Sequence, residues 1–160
     1  MSSDFNKDAL LRSAKRINVS YFKEQQEDAI NAIWQWWQSQ SISFTLSGYA
    51  GTGKTFIMRH LVRYLIVEKV CVTAPTHKAL RVLENSSGKK GMTIQSLCGL
   101  RPDVDIEDYN IENPSFKVIG EQKMRGYRLV IIDECSMINP GLFNLLIKTA
   151  IQCRCKLLFL

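Results

Sequence analysis

Gly48-Tyr49-Ala50-Gly51-Thr52-Gly53-Lys54-Thr55 decides how this chain is read. The stretch matches G-x-x-x-x-G-K-[ST], a glycine-rich loop whose backbone N–H groups cradle phosphates. Such a loop has to leave a strand and open a helix. Upstream, Ile42, Phe44 and Leu46 alternate with Ser43, Thr45 and Ser47, the period of a short strand running into Gly48. Downstream, Phe56, Ile57, Leu61, Tyr64 and Leu65 recur at helical spacing, with Arg59, His60 and Arg63 between them.

The residue types follow from the chemistry of phosphate. Gly48, Gly51 and Gly53 permit positive φ and let backbone N–H groups approach phosphate oxygens with no Cβ in the way. A helix starting near Gly53 adds unpaired N–H groups and the positive end of its dipole. Lys54 brings a point charge to the β- and γ-phosphates, and the Thr55 hydroxyl suits magnesium. The loop therefore reads as a nucleotide site with Gly48, Tyr49, Ala50, Gly51, Thr52, Gly53, Lys54 and Thr55 as its contacts.

A length of 160 residues suits one domain, and 46% hydrophobic with 22% charged residues is a globular balance. No apolar run reaches the ~18 residues of a membrane span. Met1–Ser20 carries charges throughout and no apolar h-region, so no secretory signal is read there and a cytoplasmic location is expected, with a nucleus still open. The five cysteines Cys71, Cys98, Cys135, Cys153 and Cys155 are scattered. Cys153 and Cys155 form a lone C-x-C with no second pair, which does not make a zinc site, and most of the thiols read as buried and reduced. A net charge of +6 permits a polyanionic partner without requiring one.

Residues 1–19 read as an N-terminal extension and residues 20–160 as the domain. Ser20 can cap a helix to about Gln38, with Ala29, Ile30, Ile33, Trp34 and Trp37 as its apolar stripe. At that spacing the tryptophans read as core residues, although base stacking is the other use of such rings. Val70-Cys71-Val72-Thr73 is a short strand, and Thr76 caps a helix from Lys78 to Glu84. Thr93 to Leu100 reads as a short helical turn. Residues 101–128 turn acidic at Asp103, Asp105, Glu107, Asp108 and Glu112, then basic from Phe116 to Arg128. Val104–Ile106 and Phe116–Val118 could pair as a projecting hairpin, and a plain disordered insertion is the competing reading.

Leu129-Val130-Ile131-Ile132 is an unbroken apolar run, as in a parallel strand covered on both faces, and it ends in Asp133-Glu134. Beside a phosphate loop, Asp133 suits magnesium opposite Thr55, and Glu134 suits acceptance of a proton from an attacking water. The pair could otherwise cap the helix from Asn139 to Ala150. Lys156–Leu160 is again strand-like. Strands alternating with helices make the fold α/β, a P-loop NTPase with a mostly parallel sheet and helices on both faces.

Five motifs carry a family resemblance over residues 20–160. Tyr21-Phe22-Lys23-Glu24-Gln25 resembles a Q motif, Gly48–Thr55 a Walker A loop, and Ile132-Asp133-Glu134-Cys135-Ser136 a Walker B motif. Thr73-Ala74-Pro75-Thr76-His77-Lys78-Ala79 and Thr93-Ile94-Gln95-Ser96-Leu97 resemble motif Ia and the motif after it. Together they resemble the first RecA-like domain of superfamily-one DNA helicases of the RecD/Dda type. The resemblance implies ATP and Mg2+ as cofactors, with Gln25 on the adenine edge. Lys54 and Glu134 become catalytic, and Thr55 and Asp133 metal-holding. Pro75, Thr76, His77, Thr93 and Ser96 would line a path for single-stranded DNA, and 101–128 would be a strand-separating pin. Tyr21 departs from the usual leucine, and Gln26 beside Gln25 leaves two registers open.

The family continues past such a strand with Gly-Asp-x-x-Gln and a second RecA-like domain that brings arginines to the phosphates. The expectation is therefore a truncated, C-terminally incomplete domain that binds Mg-ATP weakly, hydrolyses it barely and unwinds nothing alone. Its expected partners are single-stranded DNA, that second domain, and replication or repair proteins, with no membrane. The alternatives are another P-loop replication or repair ATPase, a nucleotide kinase, or a non-catalytic nucleic-acid-binding module.

Overall fold

The computed structural model describes residues 24–49, 51–64, 69–102, 116–118 and 120–160. The N-terminal extension, the helix cap at Ser20, the Q-motif residues Tyr21 to Lys23, Ala50, Leu65 and Val104–Ile106 lie outside the described residues. Helix α1 (Glu24–Gln38) precedes β1 (Ser43–Thr45), and the glycine loop leads into α2 (Lys54–Tyr64). Strand β2 (Val70–Ala74) is followed by α3 (His77–Ser87), β3 (Met92–Thr93) and α4 (Ile94–Cys98). Two short strands, β4 (Leu100–Pro102) and β5 (Phe116–Val118), precede β6 (Leu129–Ile132), α5 (Pro140–Cys153) and β7 (Lys156–Phe159).

Five strands form one parallel sheet in the order β1-β7-β6-β2-β3. The unbroken apolar runs explain its centre, because alternate residues of a doubly covered strand serve two different cores. Leu129 and Ile131 pack with Val70, Val72 and Leu158 under α1 and α2. Val130 and Ile132 face the other way with Cys71, Leu157 and Phe159 under α4 and α5. The apolar stripe of α1 seals the first core with Ile30, Ile33, Trp36 and Trp37 buried. Trp34 is only half-buried, so Trp36 carries more of the packing than the stripe read from spacing allowed.

Helix α3 runs from His77 to Ser87, longer than the expected Lys78–Glu84, because its stop is the left-handed Gly88 (φ 69°) rather than Asn85. The turn expected over Thr93–Leu100 begins as a sheet strand: Met92–Thr93 pairs with Thr73–Ala74 before α4 starts. Phe116–Val118 pairs antiparallel with Leu100–Pro102. The Gly120 N–H donates to the Gly99 carbonyl at 3.0 Å, and this contact closes the base of the pair. Residues 120–128 are not part of a projection. Met124 is fully buried, the Lys123 N–H bonds the Leu97 carbonyl at 3.1 Å, and Gln122 Nε2 donates to Thr149 Oγ1 at 3.1 Å.

Candidate nucleotide and nucleic-acid site

The sheet register places Thr45, Phe159, Ile132, Thr73 and Met92 in one row across five strands. The chain beyond each carboxyl end therefore emerges on the same edge, where open α/β sheets bind ligands. The glycine loop follows β1, Asp133-Glu134 follows β6, Pro75-Thr76-His77 follows β2, and Thr93 ends β3. Residues far apart in sequence are gathered there by the strand order alone.

The loop needs its glycines. Gly51 has φ 82° and Gly53 φ 94°, a region that other residues enter only with strain. A Cβ on Gly53 would also run into the Gln26 amide, and one on Gly48 would lie 2.8 Å from Thr52 Oγ1. The loop is braced internally: Thr52 Oγ1 donates to the Tyr49 carbonyl at 2.8 Å, and Gln26 Nε2 donates to the Thr52 carbonyl at 3.2 Å. Lys54 Nζ folds back on the Gly48 carbonyl at 2.5 Å and the Tyr49 carbonyl at 3.4 Å. Its ammonium is thus held inside the loop's curve, where phosphate oxygens can take over from those carbonyls. Thr55 is exposed in the first turn of α2, and the Tyr49 ring is 91% exposed. Beside the loop, Gln25, Gln26, Ala29 and Leu46 line a cavity of about 210 Å³.

Across the edge, Asp133 Oδ1 accepts the Glu134 N–H at 3.0 Å, while the Asp133 N–H donates to the Thr73 carbonyl at 3.0 Å. Glu134 sits in the left-handed region (φ 54°, ψ 40°) at the head of a short 3-10 turn, Cys135–Met137. A non-glycine residue in that conformation costs on the order of 1–3 kcal/mol and tends to mark a functional position. Its carboxylate is exposed to solvent. Burial pushes the Cys135 thiol above its usual range, Asp133 adds to the shift, and the Lys54 ammonium opposes it. One side chain therefore lies within electrostatic reach of both the glycine loop and the acidic pair.

On the neighbouring loops, Thr76 and His77 are exposed and Pro75 is half-buried. Thr76 Oγ1 is already engaged as the cap of α3, accepting the Ala79 N–H at 3.1 Å. Thr93 is 8% exposed and its hydroxyl caps α4 by accepting the Ser96 N–H at 3.3 Å. The Ala74–Thr93 pairing puts the two loops side by side. Gln26 and Cys135 were not singled out as site residues from sequence. The doubled glutamine was the one signal for the first, and no sequence signal marks the second.

The AAA domain model matches residues 21–160. The chain belongs to the AAA domain family. This AAA domain is similar to the ATP-dependent DNA helicase dda of Enterobacteria phage T4, with 33% identity over 129 residues, 79% of this chain and 28% of that protein. It is also similar to the ATP-dependent DNA helicase Pif1 of Psychrobacter sp. (strain PRwf-1), with 27% identity over 100 residues, 62% of this chain and 15% of that one. Among solved structures, the Pif1 helicase from Candida albicans superposes with a TM-score of 0.58 at 25% identity, covering 88% of this chain and 32% of that one. Bacteroides sp Pif1 in complex with ADP-AlF4 gives the same TM-score and coverage at 22% identity, a likeness of fold. The AAA domain thus spans under a third of the length of these relatives. Its fold is that of the superfamily-one Dda- and Pif1-like helicases, a nucleotide-binding P-loop domain with a parallel RecA-like sheet.

Proposed function

We propose that this edge binds Mg-ATP and single-stranded DNA on adjacent loops, as a motor domain of an ATP-dependent DNA helicase. The observation that carries the proposal is the row Thr45–Phe159–Ile132–Thr73–Met92, which delivers the loop, the acidic pair and the two capped loops to one edge. Gly51 and Gly53, at positive φ, suit a backbone cradle for the phosphates, and a Cβ at Gly53 would displace the Gln26 amide that braces the loop. Lys54 turns from its loop carbonyls to the β- and γ-phosphates. Thr55 and Asp133 would hold magnesium, which supplies charge neutralisation to the phosphates when bound. Glu134, exposed and pointed by its left-handed backbone, accepts the proton of the attacking water.

Gln25 reads the adenine edge, since a side-chain amide can meet N6 and N7 together, while Gln26 braces the loop through Thr52. Pro75, Thr76, His77, Thr93 and Ser96 form the strand path, through the half-buried Pro75, the exposed Thr76 and His77, and backbone at the buried Thr93 cap. Phosphoryl transfer also draws on positioned arginines, and these belong in the proposal to a second RecA-like domain closing over the same edge. The pin role assigned to 101–128 narrows to the paired segment between Gly99 and Gly120.

The test is Glu134→Gln. It should leave Mg-ATP binding unchanged within about twofold and lower any turnover about 10²-fold or more, the scale of a lost general base. Turnover that survives the substitution removes Glu134 from the mechanism.

A further inference from the structure

Helix α3 leaves the Pro75–His77 loop with a basic outer face. Between Lys69 and Pro102 the sequence has six Lys or Arg residues and a single acid, Glu84, so most of the chain's net +6 is gathered on this one segment. Lys78, Arg81 and Lys90 are exposed, and Lys89 is half-buried. Among the described residues, none of these four side chains has a hydrogen-bond or ion-pair partner. Glu84 does not neutralise Arg81, because its carboxylate accepts the Gly91 N–H at 2.8 Å. Helix α2, which packs against α3, carries no acidic residue. The loop that presents Lys89 and Lys90 is fixed at several points. Gly88 turns out of α3 at φ 69° with its N–H on the Glu84 carbonyl at 2.8 Å, and the Lys89 N–H reaches Ser87 Oγ at 3.3 Å. A Cβ on Gly91 would meet the Val72 carbonyl, which seats the end of the loop against β2.

This charge does nothing for the helix itself. A helix dipole favours acids in the first turn and bases in the last, whereas α3 has Lys78 in its first turn, no acid there and no base in its last turn. Lys78 and Arg81, three residues apart, repel each other as like charges. The apolar side of α3 is spent on the core through Leu80 and Leu83, and its outer face carries Val82 but no aromatic ring. At 1.5 Å per residue the helix runs about 16 Å, so its cations are strung along a line, which suits a repeating anion better than a small one. We propose that the outer face of α3 and the Lys89–Lys90 loop bind the phosphate backbone of duplex DNA, beside the single-strand path that includes His77. The inference rests on the DNA reading of that path only for the choice of DNA among polyanions. Sequence-independent binding of a single strand draws on aromatic stacking, which this face does not offer. A duplex keeps its bases stacked inside and presents one charge per ~1.7 Å of its axis. An acidic protein would be anchored by large side chains in desolvated pockets, and Val82 on a convex helix makes no such pocket.

The test uses the 160-residue chain with a fluorescein-labelled duplex and, separately, labelled oligothymidylate. Both are read by anisotropy between about 50 and 200 mM salt, the range in which phosphate contacts show their salt dependence. The expected result is saturable duplex binding that weakens about tenfold or more at the lower salt when Arg81→Gln and Lys90→Gln are combined. The slope of log affinity against log salt should become shallower by about two, one for each lost phosphate contact. Oligothymidylate should keep its affinity within about threefold, because screening limits the reach of the two missing charges. Both substituted positions are exposed, and unchanged circular dichroism and Mg-ATP binding confirm that the double variant keeps its fold. No duplex binding by the folded unaltered chain overturns the proposal, as does an unaltered duplex affinity and slope in the double variant. Oligothymidylate that loses as much affinity as the duplex overturns it too, and assigns the face to the single-strand path. Polyglutamate that displaces the duplex at equal charge concentration reduces the face to a general polyanion patch and also overturns it. Because Mg-ATP and oligothymidylate are titrated on the same chain, failure of the duplex arm and failure of the helicase reading give different patterns.

Discussion

Gly53 concentrates two requirements in one residue, a φ of 94° and a near contact with Gln26. Gly53→Ala should lower stability by about 1–3 kcal/mol through backbone strain and abolish detectable nucleotide binding, as read by denaturant melts and ATP titration. Thr73 presents the opposite case. Its hydroxyl is fully buried with no hydrogen-bond partner among the described residues, on the strand that links the Pro75–His77 loop to Asp133. Thr73→Val removes an unpaired polar group at nearly constant volume, so the melting free energy should rise by about 1 kcal/mol. A fall instead would mean the hydroxyl has a partner in solution. Most of this scale was legible in the sequence, because G-x-x-x-x-G-K-T and D-E-C-S state their chemistry by residue type. Gln26 was not, since choosing between adjacent glutamines requires the loop's three-dimensional course.

The elements were legible where one local rule suffices. Strand β6 announces itself by four consecutive apolar residues, and Thr76 caps the helix expected of it. Asn139, expected as the first residue of the next helix, instead caps it, and that helix runs Pro140–Cys153 rather than to Ala150. The two-residue strand β3 has too little length for any period and exists because β2 offers it an edge. The partner of Phe116–Val118 is likewise set by the Gly99–Gly120 contact rather than by the sequence between. Caps also separate structural from functional roles. Thr76→Ala and Thr93→Ala should each cost about 1 kcal/mol in chemical denaturation, the usual worth of a threonine cap. His77→Ala caps nothing, and in the proposed strand path it should weaken single-stranded DNA binding while leaving the melt unchanged. An unchanged DNA affinity for His77→Ala would remove it from the path.

At the scale of the molecule, two cores divided by one sheet place three thiols in dry surroundings. Burial pushes Cys71 and Cys98 up to about 11 and Cys155 up to about 12, from an ordinary 9.0. A raised folded-state value means that the folded chain holds these protons more tightly than the unfolded one. The stability from the neutral thiols is full below pH ~9 and is lost as pH rises toward 11–12. Denaturation midpoints should therefore fall as pH rises from about 9 toward 11, and substituting Ala at Cys155 should flatten that fall. Strand β1, which carries the glycine loop, is an edge of the described sheet. An unprotected edge invites pairing between chains, so Thr45→Lys should reduce concentration-dependent self-association in sedimentation.

In the proposed reading, the edge built on Gly48–Thr55 is a nucleotide site organised by Lys54. Calorimetric titration of Mg-ATP into the unaltered chain and into Lys54→Ala tests it most directly. Weak but saturable binding is expected, falling about tenfold or more in Lys54→Ala, the worth of a charged hydrogen-bond donor to phosphate. Equal affinity in the two chains, or no binding by a folded unaltered chain, would contradict it.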